Sequence, residues 1–131
     1  MKRLVIYTVQ GLVDKLEGVD IRLRVVSKSE IRLVKTRDGQ EHKVVDVLVG
    51  DRTGLIGLSL WDEKIHEVEA GDVIDMKNAY VKRFKGLLRL NVGMFGILEK
   101  VSDTNFVSIE ELSKVRRRRY TRWRTGLSGQ F

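Results

Sequence analysis

The sequence predicts an all-β domain, a small barrel of five strands with one short helix between the third and the fourth. Three observations carry this expectation. Between Val19 and Leu98 apolar and polar residues alternate in short runs, Gly and Asp turns separate the runs, and one interruption has room for a helix. Alternation reads as strand because successive side chains on a strand point to opposite faces.

The elements follow in order. A turn around Leu12 to Leu16 is placed to cap the base of the barrel. Val19 to Ser27 sets Ile21, Leu23 and Val25 against Arg22 and Arg24, a half-buried first strand. Arg37-Asp38-Gly39 supplies a turn, since Gly takes positive φ without steric cost. Val44 to Val49 is the second strand, Asp51-Arg52-Thr53-Gly54 a hairpin turn and Leu55 to Trp61 the third strand. Glu63 to Ala70 fits about two helical turns, closed by Gly71-Asp72. Val73 to Val81, a tight turn at Arg83 to Gly86, and Leu87 to Leu98 complete the set. Five strands with a helix after the third is the element order of an OB-fold barrel. Beyond it, Ser108-Ile109-Glu110-Glu111 matches a capping box, with a helix from about Ile109 toward the arginine run. Like charges four residues apart oppose its extension. The expected division is 1–107 for the barrel and 108–131 for a capped helix and an Arg-rich tail.

Composition narrows the function classes. The 131 residues suit one domain with a real core, and 42% hydrophobic with 33% charged residues is globular rather than disordered. Cysteine is absent, which removes disulfides, thiolate metal sites and cysteine nucleophiles. The apolar run Leu4 to Tyr7 is too short for a signal peptide or a membrane span, so an intracellular protein without a membrane role is expected. The net charge of +7 is localised: residues 1–113 hold 18 basic and 18 acidic residues, whereas 114–131 hold seven basic residues and no acid. A basic tail on a neutral body attracts polyanions.

No enzyme signature emerges. His42 and His66 lie in different segments without metal-ligand spacing and read as surface or cap residues. Asp62-Glu63 reads as a helix-start pair that complements the helix dipole. Gly50 to Gly54 lacks the Lys and the spacing of a phosphate loop. No metal or other cofactor is expected. The aromatics are more informative. Alternation puts Ile56, Leu58 and Leu60 on one face of the third strand and Gly57, Ser59 and Trp61 on the other, which leaves open space around the indole. Spacing alone equally allows a Trp that covers a barrel end. Tyr80 and Phe84 flank Val81-Lys82-Arg83, and Lys85 follows. Rings interleaved with cations suit a ligand that has both bases and phosphates; the plainer reading has Phe84 plugging the barrel. Arg89 and Asn91 alternate outward from Leu88, Leu90 and Val92 and extend the same polar face.

The segment Val49 to Asp62, followed by Ala70-Gly71-Asp72-Val73, Asn78-Ala79-Tyr80 and Phe84 to Gly93, closely resembles the archaeal single-stranded DNA-binding proteins of the single-OB type. Their eukaryotic relatives are the single-strand-binding subunits of the SOSS complex. The resemblance covers about Val9 to Val101. It implies that Trp61, Tyr80 and Phe84 stack on successive bases and, less specifically, that Lys35, Thr36 and Arg37 lie beside the strand. Lys82, Lys85, Arg89 and Asn91 are added from charge and alternation. The chain departs from the family in two respects. An arginine-rich end stands where members often carry a Gly-rich spacer with an acidic tip, so recruitment of repair enzymes through such a tip is not implied. The first turn also lacks the family's common Pro.

The expectation is therefore sequence-independent binding of single-stranded DNA by a monomer, in replication, recombination or repair. Arg116, Arg117, Arg118, Arg119 and Trp123 are expected to form a second nucleic-acid contact, or else a segment that docks a protein. Two rivals stay open: single-stranded RNA as the ligand, and an OB subunit that mainly docks a protein partner through Leu112 and Val115.

Overall fold

The structure, a computed structural model, describes residues 6–115. Its six strands are β1 (Val19–Lys28), β2 (Arg32–Lys35), β3 (Glu41–Asp51), β4 (Gly54–Trp61), β5 (Val73–Phe84) and β6 (Leu87–Val101). β1 pairs antiparallel with both β3 and β5, β5 pairs with β6, and β3 pairs with β4. A parallel contact between β4 and β6, through Gly57, Leu58 and Ser59, closes these five strands into a ring. The expected OB architecture is present. β2 was not expected. It attaches only to the outer end of β3, and Ile31 and Leu33 are left exposed, so no alternation marks it in the sequence.

Period-2 alternation fills the ring. Ile21, Leu23 and Val25 of β1, Val45, Val47 and Val49 of β3, and Ile56, Leu58 and Leu60 of β4 are all buried. Full burial of one such side chain is worth about 1.5–3 kcal/mol, enough to fix which face of each strand turns inward. In β5, Met76 and Val81 both face in although they stand an odd number of positions, five, apart. The extra residue is Asn78, a bulge at φ 59° whose N–H donates to Asp20 at 3.0 Å.

Both ends of the ring are covered. Where β3 turns into β4, a 3-10 turn at Val9–Gly11 buries Val9 and Leu12. The buried Asp51 carboxylate holds this end by accepting from Val9 N–H (3.0 Å), Thr53 N–H (2.8 Å) and Thr53 Oγ1 (2.6 Å). Beyond β4, the expected two-turn helix is a shorter 3-10 helix, Asp62–Glu67. Ile65 plugs the core, and the extended, buried Val68 stops the helix. Lys28 Nζ donates to the carbonyls of Ile65 (3.0 Å) and Val68 (2.9 Å), fixing that exit. Among the described residues no helix is long and apolar enough to cross a membrane.

After β6 the chain returns along the outside of β1. Arg22 bonds Asp75 (2.6 Å) and Asp103 (2.8 Å), and Arg24 donates to the carbonyls of Gly71, Phe106 and Val107. The capping box forms as expected: Ser108 Oγ accepts from Glu111 N–H, and the Glu111 carboxylate accepts from Ser108 N–H. The helix it starts, α1 (Ile109–Leu112), is only four residues long and closes at Ser113 instead of running into the arginines. Leu112 is buried against Leu55 and Val107.

The hydrogen bond from Arg22 holds the Asp103 carboxyl below the usual range, and Ser108 N–H with Arg52 does the same for Glu111. A depressed folded-state value means stability that is fully present above the ordinary carboxylate range and lost as pH falls through the folded value. The melting temperature should therefore hold steady above that range and decline below it. The decline should be shallower in Asp103→Asn and Glu111→Gln; an equal acid loss in both variants would show that the returning arm contributes nothing.

Candidate nucleic-acid interface

The same parity that buries one set of side chains presents the other set on a continuous outer face. Across it run two rows: Asp46, Ser59, Asn91 and Tyr80, and then Leu48, Gly57, Arg89 and Lys82, each residue opposite the next in the sheet register. An open groove of about 540 Å³ lies on this face, lined among others by Arg32, Asp46, Ser59, Trp61, Lys82, Phe84, Arg89 and Asn91. The structure thus gathers Trp61, Phe84, Lys82, Lys85, Arg89 and Asn91 into one place.

Trp61 ends β4 opposite Val44 and is 41% exposed, so it does not plug the ring. His42 braces it from the side, ring edge to ring face, with centroids 5.9 Å apart at 72°. His42 Nδ1 in turn lies 2.7 Å from Asp62 Oδ2, where an ionised carboxylate can only accept. Asp62 sits in the first turn as the sequence suggested, but its carboxylate turns back to β3. It accepts from Lys43 N–H at 3.0 Å, and this bond, with the His42 ring, holds its pKa below the ordinary value. His42 is therefore a support for the indole rather than a stray surface histidine.

Phe84 is 57% exposed at the tip of the β5–β6 hairpin. Lys85 and Gly86 both take positive φ (54° and 84°), the geometry of a type I′ two-residue turn. Lys85 Nζ stands 5.4 Å from the Phe84 ring centre, and Arg83 reaches Asp14 at 3.7 Å. Tyr80 shares the face but stands at the margin of the groove, half-buried. A Cβ placed on Gly93 would lie 3.5 Å from its ring, so the ring packs over that glycine.

Other expected residues are placed differently. Lys35, Thr36 and Arg37 belong to the tip of the β2–β3 hairpin and do not line the groove. Lys35 has the opposite parity to Arg32 and Val34, which do line it. Thr36 is engaged with Asp38 and the Gln40 carbonyl, which shapes the turn. Arg116, Arg117, Arg118, Arg119 and Trp123 lie outside the described residues. Among the described residues no group of three or more His, Cys, Asp or Glu could hold a metal ion.

Sequence reasoning missed the carboxylate at the centre. Asp46 accepts from Arg89 at 2.6 Å and from Arg32 at 3.1 Å, while Arg89 Nε also reaches Ser59 Oγ at 3.2 Å. Arg89 is thus latched across the groove floor, its guanidinium 3.4 Å from where a Cβ on Gly57 would stand. The available signal was Asp46 itself, a charge within the apolar run Val44 to Val49 whose parity is opposite to that of Val45 and Val47.

Comparison with known proteins agrees with this fold. A family model described as single-stranded DNA binding protein Ssb-like, OB fold, matches residues 12–100. The chain is 32% identical over 98 residues to the single-stranded DNA binding protein Ssb of Saccharolobus solfataricus, a match covering 75% of this chain and 66% of that protein. The chain thus spans just under two thirds of that relative's length. Among solved structures, the replication factor A related protein from Methanobacterium thermoautotrophicum superposes with a TM-score of 0.62 at 26% identity, covering 75% of this chain and 92% of the other. A hypothetical protein from Arabidopsis thaliana reaches a TM-score of 0.67 at 23% identity over 89% and 88% of the two chains, a likeness of fold.

Asp46→Asn should release Arg32 and Arg89 toward a bound polyanion. In oligo-dT titrations at several salt concentrations, log K against log salt should steepen by about 0.7 for each guanidinium that takes up a phosphate. An unchanged slope would mean that neither arginine turns to the ligand.

Proposed function

Because the chain belongs to the Ssb-like OB-fold family of single-stranded DNA binding proteins, we propose that it binds single-stranded DNA by stacking bases on Trp61, Tyr80 and Phe84. The observation that carries this is the pairing of two exposed rings, Trp61 and Phe84, in one groove with exposed Lys82 and Lys85. An exposed aromatic has no folding reason to stay in water, whereas every base offers it a π face. Stacking of this kind accepts any base, so the binding is independent of sequence. The phosphates follow the cations of the hairpin, with Asn91 and Ser59 offering polar contacts on the floor between the rings.

Asp46 gives the groove a polarity of its own. Its carboxylate holds Arg32 and Arg89 away from a phosphate, so bases rather than backbone face the floor, and Lys82 and Lys85 take the backbone at the rim. We further propose that Arg116 to Arg119 and Trp123 assist capture, since they belong to the segment that carries the chain's whole excess of positive charge. Lys35, Thr36 and Arg37 would then meet the strand only where it passes the β2–β3 hairpin. Protecting or presenting exposed strands during replication, recombination or repair is the role that such binding serves.

Trp61→Ala and Phe84→Ala should each weaken oligo-dT binding by about 1–3 kcal/mol, roughly tenfold or more. Their melting temperatures should stay near that of the parent chain, because neither ring belongs to the buried core. Fluorescence titration with matched DNA and RNA oligomers checks both ligand class and site. Full affinity in both variants would overturn the stacking assignment, and a clear preference for RNA would overturn the choice of DNA.

A further inference from the structure

β6 contains a second device that the groove does not use. Val92 lies opposite Ala79 and Ile97 opposite Lys77, so Gly93, Met94, Phe95 and Gly96 together face a single residue of β5, Asn78. The excess chain stands out as a tip on which Met94 is 89% and Phe95 80% exposed, the most exposed large hydrophobic residues among those described. Its neck is closely built. A Cβ on Gly96 would stand 3.0 Å from Gly93 N and 3.3 Å from the Asn78 carbonyl, so a larger residue would press the two sides apart by a few tenths of an ångström. At the other side of the neck, Gly93 carries the Tyr80 ring.

The tip also has a definite place relative to the groove. The parallel register sets Ser59 beside Asn91, and two residues further along β6 Gly93 lies against the Tyr80 ring of the outer face. Met94 and Phe95 therefore leave β6 next to Tyr80, at the border of the outer face. Exposed Lys77 precedes the neck on β5, and the Asp20 carboxylate across from it is engaged by the Asn78 N–H at 3.0 Å. A base that continues a strand stacked on Tyr80 would meet the exposed Phe95 ring next.

We infer that the Met94-Phe95 tip is an additional base-stacking site, which extends the footprint beyond Tyr80 to a further nucleotide of the same strand. Phe95 offers the ring face and Met94 a polarisable thioether beside it. The inference rests on the stacking function proposed above, and its test separates the two.

The full chain is titrated with oligo-dT of about 5 and about 15 nucleotides, lengths within the range a single OB domain covers. The double variant Met94→Ser/Phe95→Ser should bind the longer oligomer about tenfold more weakly and the shorter one as the parent does. Phe95→Trp should keep full affinity for both. Trp61→Ala and Phe84→Ala, run alongside, should lose affinity at both lengths. Parent-like binding of the longer oligomer by the double variant, with losses in the other two, would overturn the tip as a stacking site and leave the groove intact. A parent dimer that the double substitution dissociates in sedimentation, with DNA affinity unchanged, would assign the tip to a second copy and equally overturn it. No loss in any variant would defeat the groove and the tip together.

Discussion

The short parallel contact between β4 and β6 is the constraint on which the rest of the molecule depends. Three residues on each strand close the ring, and the same three set the outer neighbours: Gly57 beside Arg89, Ser59 beside Asn91. Since β6 also pairs antiparallel with β5, it carries Tyr80 and Lys82 into the same rows. The interior demands only that Leu58 and Leu90 face in; the outer face then follows from the pleat. Core and site are two sides of one register.

Within that frame, formal charge is a poor guide to function. Arg22 and Arg24 are strand cations of the kind that invite a phosphate, yet they are engaged by Asp75 and the Gly71 carbonyl around the start of β5 and by Asp103 and the carbonyls of Phe106 and Val107 on the returning arm. Arg89 is held by Asp46 and Ser59, and Lys28 by the exit of the 3-10 helix. Lys82 and Lys85 remain exposed at the rim. A neutral body can thus present a positive edge and a floor on which opposite charges cancel, an arrangement suited to holding bases below and backbone above.

Much of this was legible because a strand writes its two faces into alternate positions. Ile56, Leu58 and Leu60 against Gly57, Ser59 and Trp61 could be read directly, as could the hairpin turns at Asp51 to Gly54 and Lys85-Gly86. β2 was not legible, since an edge strand exposed on both faces has no pattern to show. The helix after Trp61 came out shorter because Val68 is claimed by the core, a tertiary demand that local propensity does not record. The packing of Tyr80 over Gly93, the support of Trp61 by His42, and the excursion at Gly93 to Gly96 all depend on which residues meet across strands. Register carries that information, and composition does not. The arginine run, conspicuous in the sequence, lies outside the residues described.

The central claim is that a single strand lies across the outer face of β4, β5 and β6. Amide chemical-shift mapping of the 15N-labelled chain during titration with oligo-dT tests it most directly. The account predicts that the largest changes fall on Gly57 to Trp61, Tyr80 to Lys85 and Arg89 to Gly93, together with the indole N–H of Trp61. Changes centred instead on the opposite end, around Tyr7, Thr53 and Asn105 to Val107, with the outer face silent, would contradict it.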